Sequence, residues 1–441
     1  MKEILRFFST LILVASLIAA IILNKPTAAH HNSFEVWLVD QSNTNGLTYG
    51  GTIYIYDGDD LTDQNPSDAV PTDVINLGGD LAQMCFATTG ANPVRPHMLF
   101  FNSTETHAAL SFVASGHVVF FDAQTREPLA CFRTEVGAGR ARQAHAVFPT
   151  TDDSHVIVAN QNGKKLERIR TDYRHNVFTQ EPSATLDLAG CTTPNGLPCQ
   201  DPTLRPDTAP ICPFTASNNG PAFISLRGGG MFVVDWRTTP MSIVAEYDRA
   251  NVPPNGCGFI EAKGKVWGNG GGGTATNLDG FAIYRVPMTG YSASNPVNTP
   301  AAELLFNDES EERDAHGMAV TKHQKYVWAG DRDGNVIEVF QAKSGCRINT
   351  INLISSFSQD PTPDLFANSP DSKWFFISTR GPNPLSGDPH SSTGTTPGLL
   401  IVRVKQDGRD GEVKGLVRIS NVDAGGVERA DAHGIRMRRK V

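Results

Sequence analysis

Four histidines of this chain stand in one recurring context. They occur as Arg95-Pro96-His97-Met98, Gln143-Ala144-His145-Ala146, Asp314-Ala315-His316-Gly317 and Asp431-Ala432-His433-Gly434, and the tetrapeptide DAHG appears twice. Neutral imidazole is a ligand for zinc, copper, iron or nickel, and three protein ligands with one open position permit chemistry or transfer. Imidazoles gathered in one place repel when protonated, so packing alone is a poor reason to gather them. Descent from one repeat unit, or Asp–His links between strands, is the structural alternative. The chemistry depends on whether the fold brings the four together.

The residues around each histidine indicate what that fold is. From His97 to Arg133 the chain breaks into HMLFF, HAALSFV, HVVFFDA and PLACFR, four short strand runs separated by turn residues. The plan recurs from His145 (HAVF, HVIVAN, KLERIR, ATLDL) and from His316 (HGMAV, YVWAG, VIEVF, INTINL). Weaker copies run over 221–247, over 258–286 with AELLF as a last strand, and over 364–419. Strands punctuated in this way by Asp-Gly, Asn-Gly and Ser-Gly turns predict an all-β, seven-bladed β-propeller of four-stranded blades. The seventh blade comes from both chain ends. FEVWLVD, GTIYIYD and TDVINL lie near the N-terminus, and the strand at His433 pairs with them to close the ring.

In a propeller the innermost strands line the central channel, so equivalent positions at the start of these strands share one mouth. Around the ring the candidate metal ligands run His316, Asp364, His433, His97 and His145, while Pro221 and Gly258 stand at the two remaining positions as blanks. Asp314 and Asp431 precede their histidines by two residues, share a strand face with them and are candidates to orient them.

The strand pattern resembles the secreted YVTN or quinoprotein-amine-dehydrogenase-like propellers over nearly the whole mature chain. At the histidines the sequence is also similar to periplasmic zinc-metallochaperone propellers. That resemblance implies zinc held by His97, His145 and His433 with a carboxylate as fourth ligand. Such chaperones carry a mobile histidine-rich loop, where this chain offers only His30-His31. Copper is the alternative ion, favoured by intrinsic affinity.

Composition narrows the partners. The 441 residues carry a formal charge of −8, and this gives no basic field for nucleic acid or anionic lipid. Lys2 and Arg6 precede an apolar run from Phe7 to Leu23 and then small residues up to Ala29, the pattern of a secretory signal over 1–29 or of an uncleaved membrane anchor. Residues 30–441 are then one periplasmic or secreted propeller domain. Seven cysteines fit that compartment: Cys85 with Cys131, Cys191 with Cys199 and Cys212 with Cys257 are the expected pairs, leaving Cys346 over. No CxxC, GxSxG, HExxH or phosphate-binding glycine motif is present. The expected function is metal binding at the channel mouth. A metal-dependent oxidoreductase or hydrolase at the same site is one alternative. The other is a module whose rim loops 189–220 and 381–398 meet a protein or glycan partner.

Overall fold

In the computed structural model, residues 33–271, 280–292, 294–295, 299–310, 312–385 and 392–440 are described. The expected signal segment over 1–29 and His30-His31 lie outside them. Seven antiparallel sheets form in chain order, each built on a four-stranded meander of neighbouring strands, and the short strand Leu186–Asp187 adds a fifth to the sheet that starts at Ala144. Blade one is composite. Its innermost strand, Ala432–Arg439, pairs antiparallel with Phe34–Asp40, which is followed outward by Thr52–Asp57 and Asp73–Asn76. The ring therefore closes through its own ends, as the terminal strand patterns predict.

The innermost strands of the other blades are Pro96–Phe101, Ala144–Pro149, Pro210–Thr215, Phe259–Ala262, Ala315–Val320 and Pro363–Asn368. One expectation needs correction here. Ala222–Leu226 is the second strand of blade four, because Pro210–Thr215 precedes it as the inner strand. Pro221 therefore does not occupy the histidine register. Prolines at both 210 and 213 make this segment read as loop, yet a bulge between them accommodates the missing amides.

Side chains from adjacent sheets fill the spaces between blades. Trp37 of blade one meets Phe101 of blade two edge-on at 5.2 Å, and Trp328 of blade six meets Phe375 of blade seven at 4.5 Å. Trp37, Trp328 and Phe375 are fully buried, and each such side chain contributes roughly 1.5–3 kcal/mol by leaving water. All three expected disulfides are present. Cys85, on the helix Asp80–Thr89, ties to the outer strand of blade two at Cys131; Cys191–Cys199 closes a loop before blade four; Cys212–Cys257 joins the inner ends of blades four and five. Cys346 is free and exposed. Alkylation in denaturant without reductant is accordingly expected to add one label per chain, and three or more labels would contradict the pairing.

A buried histidine outside the channel also reports on the fold. His117 is fully buried, 2.8 Å from the Thr89 hydroxyl and 2.9 Å from that of Ser115, and burial, aided by Arg133 and Arg142, lowers its pKa to about 4. In the unfolded chain it titrates near 6.5, so the unfolded state binds the proton first as pH falls. Its contribution to stability is present at neutral pH and is lost on acidification from about 6.5 toward 4. His117→Gln should remove about 2 kcal/mol of the stability lost between pH 7 and pH 5. Urea unfolding of both proteins at the two pH values measures that difference, and equal pH dependence would refute it.

Candidate metal centre

Six of the seven inner strands meet their neighbour in regular register except at one place, and Phe259–Ala262 of blade five pairs without a slip. The register slips between Pro96 and Leu99, Ala144 and Ala146, Pro210 and Pro213, Ala315 and Met318, Pro363 and Phe366, and in the closing strand between Ala432 and Ile435. His97, His145, Ile211, His316, Asp364 and His433 all sit inside these bulges. A bulge inserts one residue, bends the strand and re-aims a side chain, and here it does so at the same step of six repeats. In blade five the equivalent residue is Cys257, since the next residue, Gly258, packs on the His316 carbonyl as Gly317 packs on that of Asp364 and Gly434 on that of His97. The two positions expected to be blank are thus Ile211 and Cys257, and the axial disulfide fills that side of the mouth.

Backbone position is fixed from the neighbouring blade. The Ser111 hydroxyl donates to the His145 carbonyl at 2.9 Å, the Ser378 hydroxyl to that of His433 at 2.7 Å, and the Asn269 amide to that of His316. In these three blades one residue on the second strand thereby anchors the ligand-bearing strand of the next.

The side chains are oriented just as firmly. His145 Nδ1 lies 2.9 Å from the Ile211 carbonyl, which can only accept, so this nitrogen carries the proton. His97 Nδ1 lies 2.8 Å from Gln41 Oε1, and the Gln41 amide nitrogen faces the Asp431 carboxylate, so His97 is also protonated at Nδ1. Both Nε2 lone pairs then point inward, and they meet at 3.3 Å. Two lone pairs at that distance repel unless a cation lies between them. A proton is disfavoured, because burial first, and then the neighbouring His433 and His145, hold His97 well below its ordinary value.

His433 and Asp364 complete the arc. His433 Nδ1 donates to Asp364 Oδ2 at 2.5 Å, while His316 Nδ1 lies 3.1 Å from the other carboxylate oxygen. One ligating atom from each of His316, Asp364 and His433 falls within 4.8 Å of the others. His433 Nε2 is buried without a hydrogen-bond partner. Its ring stacks on His97 at 3.9 Å with an interplanar angle of 9°, so the two rings run parallel and joint ligation of one ion requires a rotation of His433. The five sequence candidates therefore form a facing pair, His97 and His145, and a triad, His316, Asp364 and His433, joined by this stack.

Asp314 and Asp431 do not touch the histidines that follow them. Arg332 bonds Asp314 at 2.6 Å and lies 3.5 Å from Asp364; Arg380 lies 3.3 Å from Asp364 and bonds Asp431 at 2.6 and 2.8 Å. The result is a buried row of alternating charge centred on Asp364. Burial by itself raises an aspartate, yet the neighbouring histidines and Arg380 hold Asp364 well below the usual range. Burial lowers His316 and His433 below their ordinary values, while the Asp364 charge opposes that shift.

Gln41, Arg332 and Arg380 were not evident as site residues from the histidine pattern. They share a signal of their own, since each is the residue after its blade's second strand, where Asp40, Asp331 and Thr379 pair with Ala432, Ala315 and Pro363. The residue after the second strand thus supports the residue inside the bulge.

No protein-family model and no curated protein matches the sequence. Solved structures do. A protein from Sulfolobus tokodaii described as a hypothetical selenium-binding protein superposes with a TM-score of 0.61 at 10% identity, over 91% of this chain and 93% of its own. A protein from Lactobacillus plantarum gives 0.52 at 12% identity over 92% and 99%. AztD from Citrobacter koseri, in its apo form, gives 0.46 at 9% identity over 93% and 99%. At these identities the likeness shows the propeller fold alone.

Proposed function

We propose that the protein binds one transition-metal ion at the axial mouth of the propeller and serves in metal handling outside the cytoplasm, with zinc as the first choice and copper as the second. The observation that carries this reading is the 3.3 Å approach of His97 and His145 Nε2, both with their Nδ1 atoms committed to acceptors. Two imidazole nitrogens on a tetrahedral zinc at 2.0–2.1 Å stand about 3.3 Å apart. The pair is spaced for an ion between them. His433 supplies a further buried Nε2, and the ionised Asp364 adds negative charge that favours a cation.

Exported placement is supported by three disulfides, which persist in oxidising compartments. Among the described residues no helix is long and apolar enough to cross a membrane.

The test is elemental analysis of protein purified without chelator or affinity tag, followed by titration of stripped protein with zinc and with copper. About one ion per chain is expected, with saturation at micromolar metal or below. A protein that is metal-free and refuses both ions at micromolar concentration overturns the reading.

A further inference from the structure

Beneath the histidine ring, the channel opens into a cavity of about 420 Å³. Four of its lining phenylalanines come one from each of four consecutive inner strands: Phe100, Phe148, Phe214 and Phe259. Their rings form a continuous arc, with centroid separations of 4.0 Å, 6.1 Å and 5.6 Å along the series. At the Phe100 end stands Arg436 of the closing strand, whose guanidinium carbon lies 3.9 Å from the Phe100 ring centroid. Its single hydrogen bond among the described residues runs to the carbonyl of its neighbour Ile435. No carboxylate among the described residues lies within ion-pair distance of it.

That arrangement differs from those of Arg332 and Arg380 beside the histidine ring. Arg332 and Arg380 are each closed off by carboxylates, whereas Arg436 presents most of its five donors to an apolar chamber. Burial lowers its pKa to about 10, so it remains charged at neutral pH. The cation–π contact with Phe100 holds the partly exposed guanidinium in place but leaves its charge without an anionic partner among the described residues, so an anionic ligand gains charge-assisted bonds there. The cavity's one lining carboxylate, Glu261, is already bonded to the Ser217 amide and hydroxyl.

We infer that this chamber binds a small organic anion, a carboxylate or phosphonate carrying a flat apolar body, with its head on Arg436 and its body along the arc from Phe100 to Phe259. The volume falls within the range of small-molecule sites and suits one or two rings. The phenylalanine arc offers offset and edge-on faces to a planar body, and the guanidinium fork matches a planar anion. The chamber is separate from the metal-ligating atoms, so this inference stands whether or not the ring above it holds an ion.

The experiment uses the full mature chain stripped with EDTA, with 2-naphthoate as the probe and 2-naphthylmethanol as its neutral counterpart, both followed by calorimetry. Saturable naphthoate binding at one site per chain is expected. Arg436→Gln should weaken naphthoate by about tenfold or more while leaving the alcohol unchanged, because one charge-assisted interaction is lost. Phe148→Ala should weaken both. If Arg436→Gln fails to fold, Arg436→Lys decides the matter: retention of naphthoate binding within a few-fold is expected of a retained cation, and its loss overturns the assignment. Absence of saturable naphthoate binding by the wild type, or equal affinity in wild type and Arg436→Gln, also overturns it. Zinc titration of Arg436→Gln, expected to match wild type, separates this outcome from failure of the metal centre.

Discussion

Replacing His145 with alanine is expected to weaken zinc binding by more than about 100-fold, and His97→Ala by a similar factor. Removal of a partner that merely orients a ligand costs 10–100-fold in many metal sites, so loss of a ligand must exceed that. Gln41→Ala supplies the internal calibration. It leaves every ligand in place but removes the acceptor that holds the proton on His97 Nδ1, so a loss of about 10–100-fold is expected. His155→Ala is the matched control. It lies on the second strand of blade three, bonded to the Ser154 hydroxyl and 3.5 Å from Glu181, away from the ring. Competition titrations of these four variants and of His316→Ala against a chelator of known affinity measure all of these. The variants also locate the ion within the arc. An ion between the facing nitrogens makes His145→Ala far more costly than His316→Ala, whereas an ion in the triad of His316, Asp364 and His433 reverses the order. Equal effects in His145→Ala and His155→Ala would sink the metal centre altogether.

The parts of this architecture legible in the sequence are those that repeat. Strand runs bounded by turn residues recur in the same order because each blade solves the same packing problem, and DAHG at 314–317 and 431–434 marks the same bulge twice. The pairs Cys85–Cys131 and Cys212–Cys257 followed from placing residues on that repeat, and Cys191–Cys199 from nearness along the chain. Blade four escaped because its inner strand, Pro210–Thr215, carries two prolines and follows a proline-containing insertion, so local chemistry argued against a strand that tertiary pairing nonetheless imposes. Assigning 221–226 as the inner strand then hid Ile211 behind a false blank at Pro221. The arginines were invisible for another reason. Position in the repeat is readable, but which charge a buried guanidinium meets depends on loops from the adjacent blade: Arg380 reaches Asp431 across 51 residues, a distance no local spacing encodes. The aromatic arc was missed because phenylalanine in a strand reads as core. Only closure of the ring reveals that four of these rings face the axis rather than the space between blades.

Deleting residues 430–441 is expected to abolish the cooperative fold, or to cost at least about 5 kcal/mol, a large part of the 5–15 kcal/mol by which a folded protein is stable. The deletion strips blade one of its inner strand and exposes the edge of Phe34–Asp40, which pairs with it from Phe34 to Asp40. It also removes Ile435 and Ala432, both fully buried. A charge penalty adds to this. Arg438 bonds the buried Glu35 at 2.9 Å, and breaking a buried pair by removing one partner costs about 3–5 kcal/mol, tempered here because Arg126 still reaches the other Glu35 oxygen at 2.7 Å. Asp431 leaves with the strand, so Arg380 loses the partner that bonds it twice and is left with Asp364 alone. The loss of closure and the loss of charge balance therefore act on the same region, where blades seven, one and two meet. Deletion of residues 440 and 441 alone is the control, since it removes only the exposed pairing of Lys440 with Asp57 among the described contacts of that side chain. Urea unfolding followed by tryptophan fluorescence reports the outcome. A 430–441 deletion that unfolds at the same denaturant concentration as the full chain would show that the terminal strand is an appendage, and would remove His433 from any candidate site.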